Sequence, residues 1–192
     1  MKKLFSLKGI ISLAVVMAVL VMLPSCDDDD ILTPPQVVNI SGEYSGKMCF
    51  SQSGSTEADT TDVDATAAND TVYFKKFPVK TLIASIVGEE NAEKIATALG
   101  DVKYGVGYKT EATTKTDSIS LVFDPKPLEL IFPTSETQTD TVVVEISTLD
   151  KGLFASESEN LKFGLKAENV SLNGNDLGEL FKPIDFKFDL TK

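Results

Sequence analysis

The sequence contains no arginine, histidine or tryptophan, and all 18 of its basic residues are lysines. Imidazole is the side chain that titrates near neutral pH and the commonest metal ligand, and the guanidinium fork is the residue of choice for phosphate. Histidine-based catalysis, histidine-ligated metals and arginine-dependent phosphate recognition are therefore excluded. We expect a protein that is not an enzyme and that carries no cofactor and no metal.

Basic charge is also scarce. The 192 residues carry 29 acidic against 18 basic side chains, a formal net charge of −11. Nucleic acid is an unexpected partner, because its binding depends on clustered cations that neutralise phosphates. A composition of 42% hydrophobic and 24% charged residues is that of an ordinary globular domain.

The N-terminus has the pattern of a secretory signal. Lys2 and Lys3 precede an uncharged apolar run from Ile10 to Leu23. A membrane-spanning helix needs about 20 apolar residues, so this run is too short to be an anchor. The pattern predicts a signal peptide over residues 1–25.

The end of this signal carries a known motif. Leu23-Pro24-Ser25-Cys26 places an aliphatic residue at −3, a small one at −1 and cysteine at the junction. It resembles the lipobox of bacterial lipoproteins, although proline at −2 is less usual. The resemblance implies cleavage before Cys26, diacylation of its thiol and a covalent lipid anchor in the membrane. Two or more acyl chains hold a protein stably, whereas one gives marginal binding.

Four aspartates follow the predicted cleavage site: Asp27, Asp28, Asp29 and Asp30. They resemble the acidic tetrad that marks Bacteroidetes lipoproteins for export to the outer face of the outer membrane. The resemblance implies a lipid-anchored protein exposed on the cell surface. A solvated spacer is the alternative, since adjacent carboxylates repel and extend the chain. Residues 26–36 form the predicted linker, which ends in a stiff Pro34-Pro35 segment.

Residues 37–192 are predicted to form a single β-rich domain. Apolar and polar residues alternate with the period of half-buried strands, most clearly over residues 184–191. The phase slips near Asn169, which predicts a bulge, and Asn173-Gly174 predicts a hairpin turn. The other strand predictions cover residues 40–50, 102–108, 119–123, 141–147 and 161–167.

Two segments depart from this alternation. Between Pro78 and Gly100 the apolar spacing is helical, and Gly88 interrupts it. Residues 51–69 are small, polar and acidic, so we expect a mobile polar loop there. The predicted fold is mainly β with minor α, an antiparallel sandwich or a small closed barrel with one short or kinked helical segment.

Several segments of the domain resemble a family of Bacteroidetes lipoproteins catalogued only as a domain of unknown function. The opening Gly42-x-Tyr44-x-Gly46 is also similar to the first strand of lipocalin-like barrels. The family resemblance implies no activity. The segments that carry it are residues 39–48, 77–80, 124–130 and 186–190.

Few residues are candidates for chemistry. Once Cys26 is acylated, Cys49 is the only thiol, so no intrachain disulfide forms and no histidine activates it. Tyr104 and Tyr108 share one face of a strand and are candidate ligand-facing aromatics, with sheet packing as the alternative. Four hydroxyls lie in patterns that resemble Bacteroidetes O-glycosylation acceptors, although the same patterns mark turns: Thr60, Thr71, Ser118 and Thr141.

Three functional hypotheses remain. The first is a lipid-anchored, non-enzymatic surface module that binds an unidentified small molecule, glycan or protein. The second is a structural or interaction protein of a cell-envelope complex without a small ligand. The third is an enzyme that uses paired carboxylates, which can hydrolyse glycosides without histidine.

Overall fold

The computed structural model describes residues 38–53, 55, 57–111, 117–133 and 137–192. Within them, eleven strands form one sheet in which every pairing is antiparallel. The strands are β1 (Gly42–Gln52), β2 (Asp59–Ala68), β3 (Thr71–Phe74), β4 (Tyr104–Glu111), β5 (Ser118–Asp124), β6 (Leu128–Pro133), β7 (Thr139–Thr148), β8 (Gly152–Ala155), β9 (Asn160–Leu172), β10 (Asn175–Asp176) and β11 (Ile184–Thr191).

Eight of these strands close into a barrel, in the order β1-β2-β3-β4-β5-β8-β9-β11. The ring closes because β11 pairs with β1 on one side and with β9 on the other. The prediction of a mainly β fold is confirmed, and the closed barrel decides between the two predicted architectures. Alternation places the apolar side chains of each strand inside the ring.

The long strand β9 extends the sheet beyond the ring. One of its edges pairs first with β8 and then, over residues 165–172, with β7, which in turn pairs with β6. The β7 register shifts between Glu145 and Ile146, which face Asn169 and Ala167. The bulge predicted near Asn169 is therefore confirmed. A turn at Asn173-Gly174, both with positive φ, joins β9 to β10, as predicted.

Two short helices, α1 (Lys80–Val87) and α2 (Glu89–Leu99), follow β3. Gly88 separates them with a φ of 81°, a conformation that glycine adopts without a steric penalty. The predicted break at Gly88 is thus confirmed. α1 buries Leu82 and Ile83 in the core. In the part of the chain that the structure describes, no helix is long and apolar enough to cross a membrane.

The prediction of a mobile polar loop over residues 51–69 is wrong for most of that segment. Residues 59–68 are β2, a strand of the barrel wall. Val63, Ala65 and Ala67 are buried, and they alternate with polar residues at strand period. The segment forms a strand because β1 pairs with it along nearly its whole length, from Asp59 to Ala67.

Gly46 of β1 lies opposite Leu190 of β11, where the two strands approach closely. A Cβ at position 46 would stand 2.1 Å from the Asp189 carbonyl oxygen and 2.9 Å from the Leu190 Cα. We therefore expect Gly46→Ala to lower the free energy of unfolding by about 1–3 kcal/mol or more, as overpacking does.

Urea denaturation checks this expectation. Gly107→Ala in β4 is the matched control, because its Cβ would lie 3.8 Å from the nearest atom, the Asp124 carbonyl oxygen. Equal urea midpoints for the two variants would contradict the close approach of β1 and β11.

Candidate functional site

Aromatic rings fill the interior of the barrel. Phe163 stacks between Phe123 and Phe188, with ring centroids 4.5 Å apart in both pairs. Phe77, from the segment that follows β3, packs edge-on against Phe74 at 5.4 Å. These side chains are buried and form the hydrophobic core. They occupy the space in which a wider barrel encloses a ligand.

Tyr104 and Tyr108, the candidate ligand-facing aromatics, belong to this interior. They are 7% and 6% exposed. The Tyr104 hydroxyl donates to the Lys126 carbonyl at 2.6 Å, and the Tyr108 ring packs against Phe123 with centroids 5.9 Å apart. Burial raises the pKa of both phenols. Both side chains therefore contribute to packing within the fold.

Tyr44 is a third buried tyrosine. Its hydroxyl donates to the Ile40 carbonyl at 2.5 Å. Burial, followed by the charges of Tyr108 and Glu159, raises the pKa of Tyr44 to about 12. The bond ties the entry of β1 to the barrel wall and satisfies a hydroxyl that would otherwise be costly to bury.

The outer wall of four strands carries alternating charges. Lys162 of β9 bonds Asp189 of β11 at 2.9 Å, and Lys47 of β1 bonds Asp62 of β2 at 2.9 Å. Hydrogen bonds from Asn160 and then from Lys162 lower the pKa of Asp189. Because Lys47 also faces Asp189 across the sheet, the four charges form one row. Charge on this part of the wall is mutually compensated.

A groove of about 500 Å³ lies along β2, and we name it the β2 groove. Buried side chains of β1 and β2 line it together with exposed charged side chains, which include the two lysines that follow β3. The residues used below are Tyr44, Val63, Ala65, Asp62, Asp64, Lys75 and Lys76. The groove thus combines an apolar base with charged edges.

A second groove, of about 330 Å³, lies where β7 ends and β8 begins. Two of its lysines already face carboxylates: Lys151 bonds Glu111 at 2.5 Å, and Lys162 bonds Asp189. The Leu149 side chain covers Gly164, where an added Cβ would stand 3.0 Å from it. The β2 groove is therefore the stronger candidate site.

Metal ligands and reactive thiols are sparse. Among the described residues, no three histidine, cysteine, aspartate or glutamate side chains come together to hold a metal ion. Cys49 is a free, half-buried thiol on β1, between Thr60 of β2 and Lys187 of β11 in the sheet register. The sequence contains no histidine that could act as a general base for this thiol.

The four candidate glycosylation residues are dispersed. Thr60 is exposed on β2, whereas Thr71 is half-buried at the start of β3 and donates to the Asn69 carbonyl. Ser118 is 8% exposed at the start of β5, and Thr141 is half-buried on β7. Thr60 presents the most accessible of the four hydroxyls. Cys26 and Asp27–Asp30, the predicted lipidation and export residues, lie outside the described residues.

Sequence reasoning missed the residues of the β2 groove. A signal was present, because Val63, Ala65 and Ala67 alternate with Asp62 and Asp64 at strand period. The low apolar content of residues 51–69 obscured that alternation.

Residues 39–172 match a family described as a domain of unknown function, DUF4840. The chain belongs to this family. The match runs from the approach to β1 to the last residue of β9, so it stops before β11, which closes the barrel. No curated protein and no solved structure matched the chain. Membership in DUF4840 therefore defines the domain without assigning an activity.

The buried tyrosines predict a loss of stability at alkaline pH. The unfolded chain loses its phenolic protons near pH 10, whereas Tyr44 keeps its proton in the folded state up to about pH 12. Between those values the native state binds more protons than the unfolded state. The protonated Tyr44 therefore contributes its full share to the free energy of unfolding below pH 10, and this contribution is lost as pH rises toward 12.

Thermal melts followed by circular dichroism between pH 8 and pH 11.5 measure this effect. Tyr104→Phe should reduce the alkaline slope and, by removing one hydrogen bond, lower stability at pH 7 by about 0.5–1.5 kcal/mol. Tyr73→Phe is the control, because Tyr73 is 44% exposed. An unchanged slope in Tyr104→Phe would contradict the buried position of that hydroxyl.

Proposed function

We propose that this DUF4840 protein is a lipid-anchored, non-enzymatic module of the outer-membrane surface that binds a partner protein through the outer wall of its barrel. The observation that carries the proposal is the filled interior. Stacked phenylalanine rings occupy the inside of the ring of strands, so recognition falls to the outer surface. Of the first two hypotheses, this favours a protein partner over a small ligand held within the barrel.

The chemistry of the chain supports a non-enzymatic role. The sequence has no histidine to act as a general base near neutral pH, and the free thiol of Cys49 has no such base beside it. The described carboxylates do not gather into a cluster that could hold a metal ion. Binding is the activity that the remaining features serve.

The lipid anchor rests on the sequence around Cys26. Leu23, Ser25 and Cys26 stand at the positions that the lipobox requires, and four aspartates follow. Acyl chains contribute about 0.8 kcal/mol per buried CH₂, so palmitate-type acylation at Cys26 would hold the domain at the membrane. The net charge of −11 disfavours a second, electrostatic contact with anionic lipid.

Metabolic labelling with an alkyne palmitate analogue tests the anchor. Cys26→Ala should lose the label and leave the membrane fraction, whereas Cys49→Ala should retain both. Changing Asp27–Asp30 to asparagine should preserve the label and remove the sensitivity of the protein to protease added to intact cells. A labelled Cys26→Ala variant would contradict anchoring at this cysteine, and an unchanged protease sensitivity would contradict export by the tetrad.

Site-specific photo-crosslinking in cells tests partner binding by the outer wall. A photoreactive amino acid at each of Tyr73, Val122 and Leu153, which are exposed on three different strands of the barrel, should yield a discrete crosslinked protein from at least one strand. Ala98, exposed on α2, is the control position. The proposal fails if none of the strand positions yields a crosslinked protein.

A further inference from the structure

One edge of the barrel wall is open along β2. β2 pairs with β1 from Asp59 to Ala67, but it pairs with β3 only over Thr66–Ala68, because β3 ends at Phe74. Within the described residues, no other strand pairs with residues 59–65 on that side. We name these seven residues the β2 edge.

The turn between β2 and β3 determines which backbone groups face this edge. Asn69 and Asp70 have φ values of 50° and 55°, the type I′ geometry of a two-residue hairpin. In such a hairpin the flanking residues, Ala68 and Thr71, exchange backbone hydrogen bonds, and every second residue then points its N–H and C=O the same way. Thr60, Asp62 and Asp64 therefore direct their backbone groups toward the β2 edge.

Side-chain distances agree with this assignment. Residues whose backbone groups point away from a partner strand bring their side chains closest to it. The Thr66 hydroxyl donates to Glu43 at 2.8 Å, and Lys47 bonds Asp62 at 2.9 Å, both across the β1–β2 pair. The β2 edge thus presents three donors and three acceptors to a further strand.

The β2 groove lies beside this edge. Its base contains the small side chains of Val63 and Ala65, in a volume of about 500 Å³. A strand added to the edge would point alternate side chains toward this base. Apolar side chains of moderate size suit those positions.

The outward side chains of the edge are acidic. Asp62 and Asp64 are exposed. Asp62 already bonds Lys47 of β1, whereas Asp64 lies opposite the neutral Ser45. Directly opposed side chains on neighbouring strands lie about 4.5–5.5 Å apart, so opposite charges there are favourable. Of the lysines that line the other side of the groove, Lys76 already bonds Asp101 at 3.1 Å.

We propose that the β2 edge binds an extended segment of the partner protein by strand addition. The segment carries lysine or arginine at alternate positions, facing Asp62 and Asp64, and apolar residues between them, facing Val63 and Ala65. Main-chain hydrogen bonds supply affinity in this mode of recognition, and alternate side chains supply specificity. The proposal rests on the proposed function, because it locates the partner protein at the open edge of the barrel wall along β2.

Charge argues against two other occupants. A second copy paired antiparallel about Asp62 would oppose the Asp62 carboxylate to its own copy and Asp64 to the neutral Thr60, so neither aspartate gains an opposite charge. The chain's own residues 27–36 contain four aspartates and two prolines. They would add like charge and lack two of the N–H donors that a ladder needs.

The test uses the full-length chain, purified in detergent, and a fluorescein-labelled eight-residue peptide of alternating lysine and valine. We expect saturable binding by fluorescence anisotropy that weakens at least tenfold in 1 M salt. Hydrogen exchange followed by mass spectrometry should show that the peptide slows exchange in residues 59–66. Exchange in β6 should be unchanged. A peptide with glutamate in place of lysine should not bind.

Two variants of β2 and one control complete the test. Asp64→Pro removes an N–H that points away from β1, so it should abolish binding and leave the circular dichroism unchanged. Asp62→Asn combined with Asp64→Asn should weaken binding at least tenfold, and it remains informative if the proline variant misfolds. Glu129→Gln, on the exposed face of β6, should bind the peptide as the unaltered protein does.

Three results would overturn the assignment: equal binding of the glutamate peptide, protection of β6 in place of β2, or full binding by the double asparagine variant. Absence of peptide binding, while crosslinks from the rest of the outer wall persist in cells, would remove the β2 edge as the site and leave the proposed function standing. Absence of both would remove the proposed function as well.

Discussion

The pairing of β11 with both β1 and β9 is the constraint on which the rest of this structure depends. It joins residues 184–191 to residues 45–52 across most of the chain, so the entropic cost of closing this long loop must be offset by contacts made only in the closed ring. Inside the ring, Phe186 packs against Phe77 and Phe188 stacks on Phe163. On the outside, Asp189 bonds Lys162. The strands approach so closely at Gly46 that a side chain there would displace the Asp189 carbonyl.

Closure also decides what the inside of the barrel contains. An eight-stranded ring is just wide enough for side chains to fill it, and here the filling is largely aromatic. Phe77 enters from the segment after β3 and contacts Phe74 of β3, Tyr104 of β4 and Phe186 of β11. The early end of β3 thus goes together with two features: Phe77 packs in the core, and the β2 edge has no partner strand among the described residues.

Local patterns in the sequence predict much of this fold. Large apolar side chains at period two predicted β1, β9 and β11, a phase slip predicted the bulge near Asn169, and Gly88 predicted the break between the helices. β2 was missed because its inward residues are valine and alanine, so the contrast between its two faces in the sequence is weak. The choice of barrel over sandwich and the inward position of Tyr104 depend on pairings between distant segments, which local patterns do not encode. The β2 edge exists because β3 is short, and local sequence patterns did not predict the length of β3.

An open edge with unpaired backbone groups invites association, and charged side chains are one way in which proteins limit it. Asp62 and Asp64 perform that role on β2, since a like edge brought against them meets carboxylate with carboxylate. The repulsion does not remove the donors and acceptors of Thr60, Asp62 and Asp64, so the edge stays competent toward a strand of opposite charge. Lys47 compensates Asp62 from β1, while Asp64 is opposed by Ser45, a neutral residue. The acidic excess is thus greatest at Asp64, beside the base of the groove, where a basic strand gains both charge pairing and apolar contact.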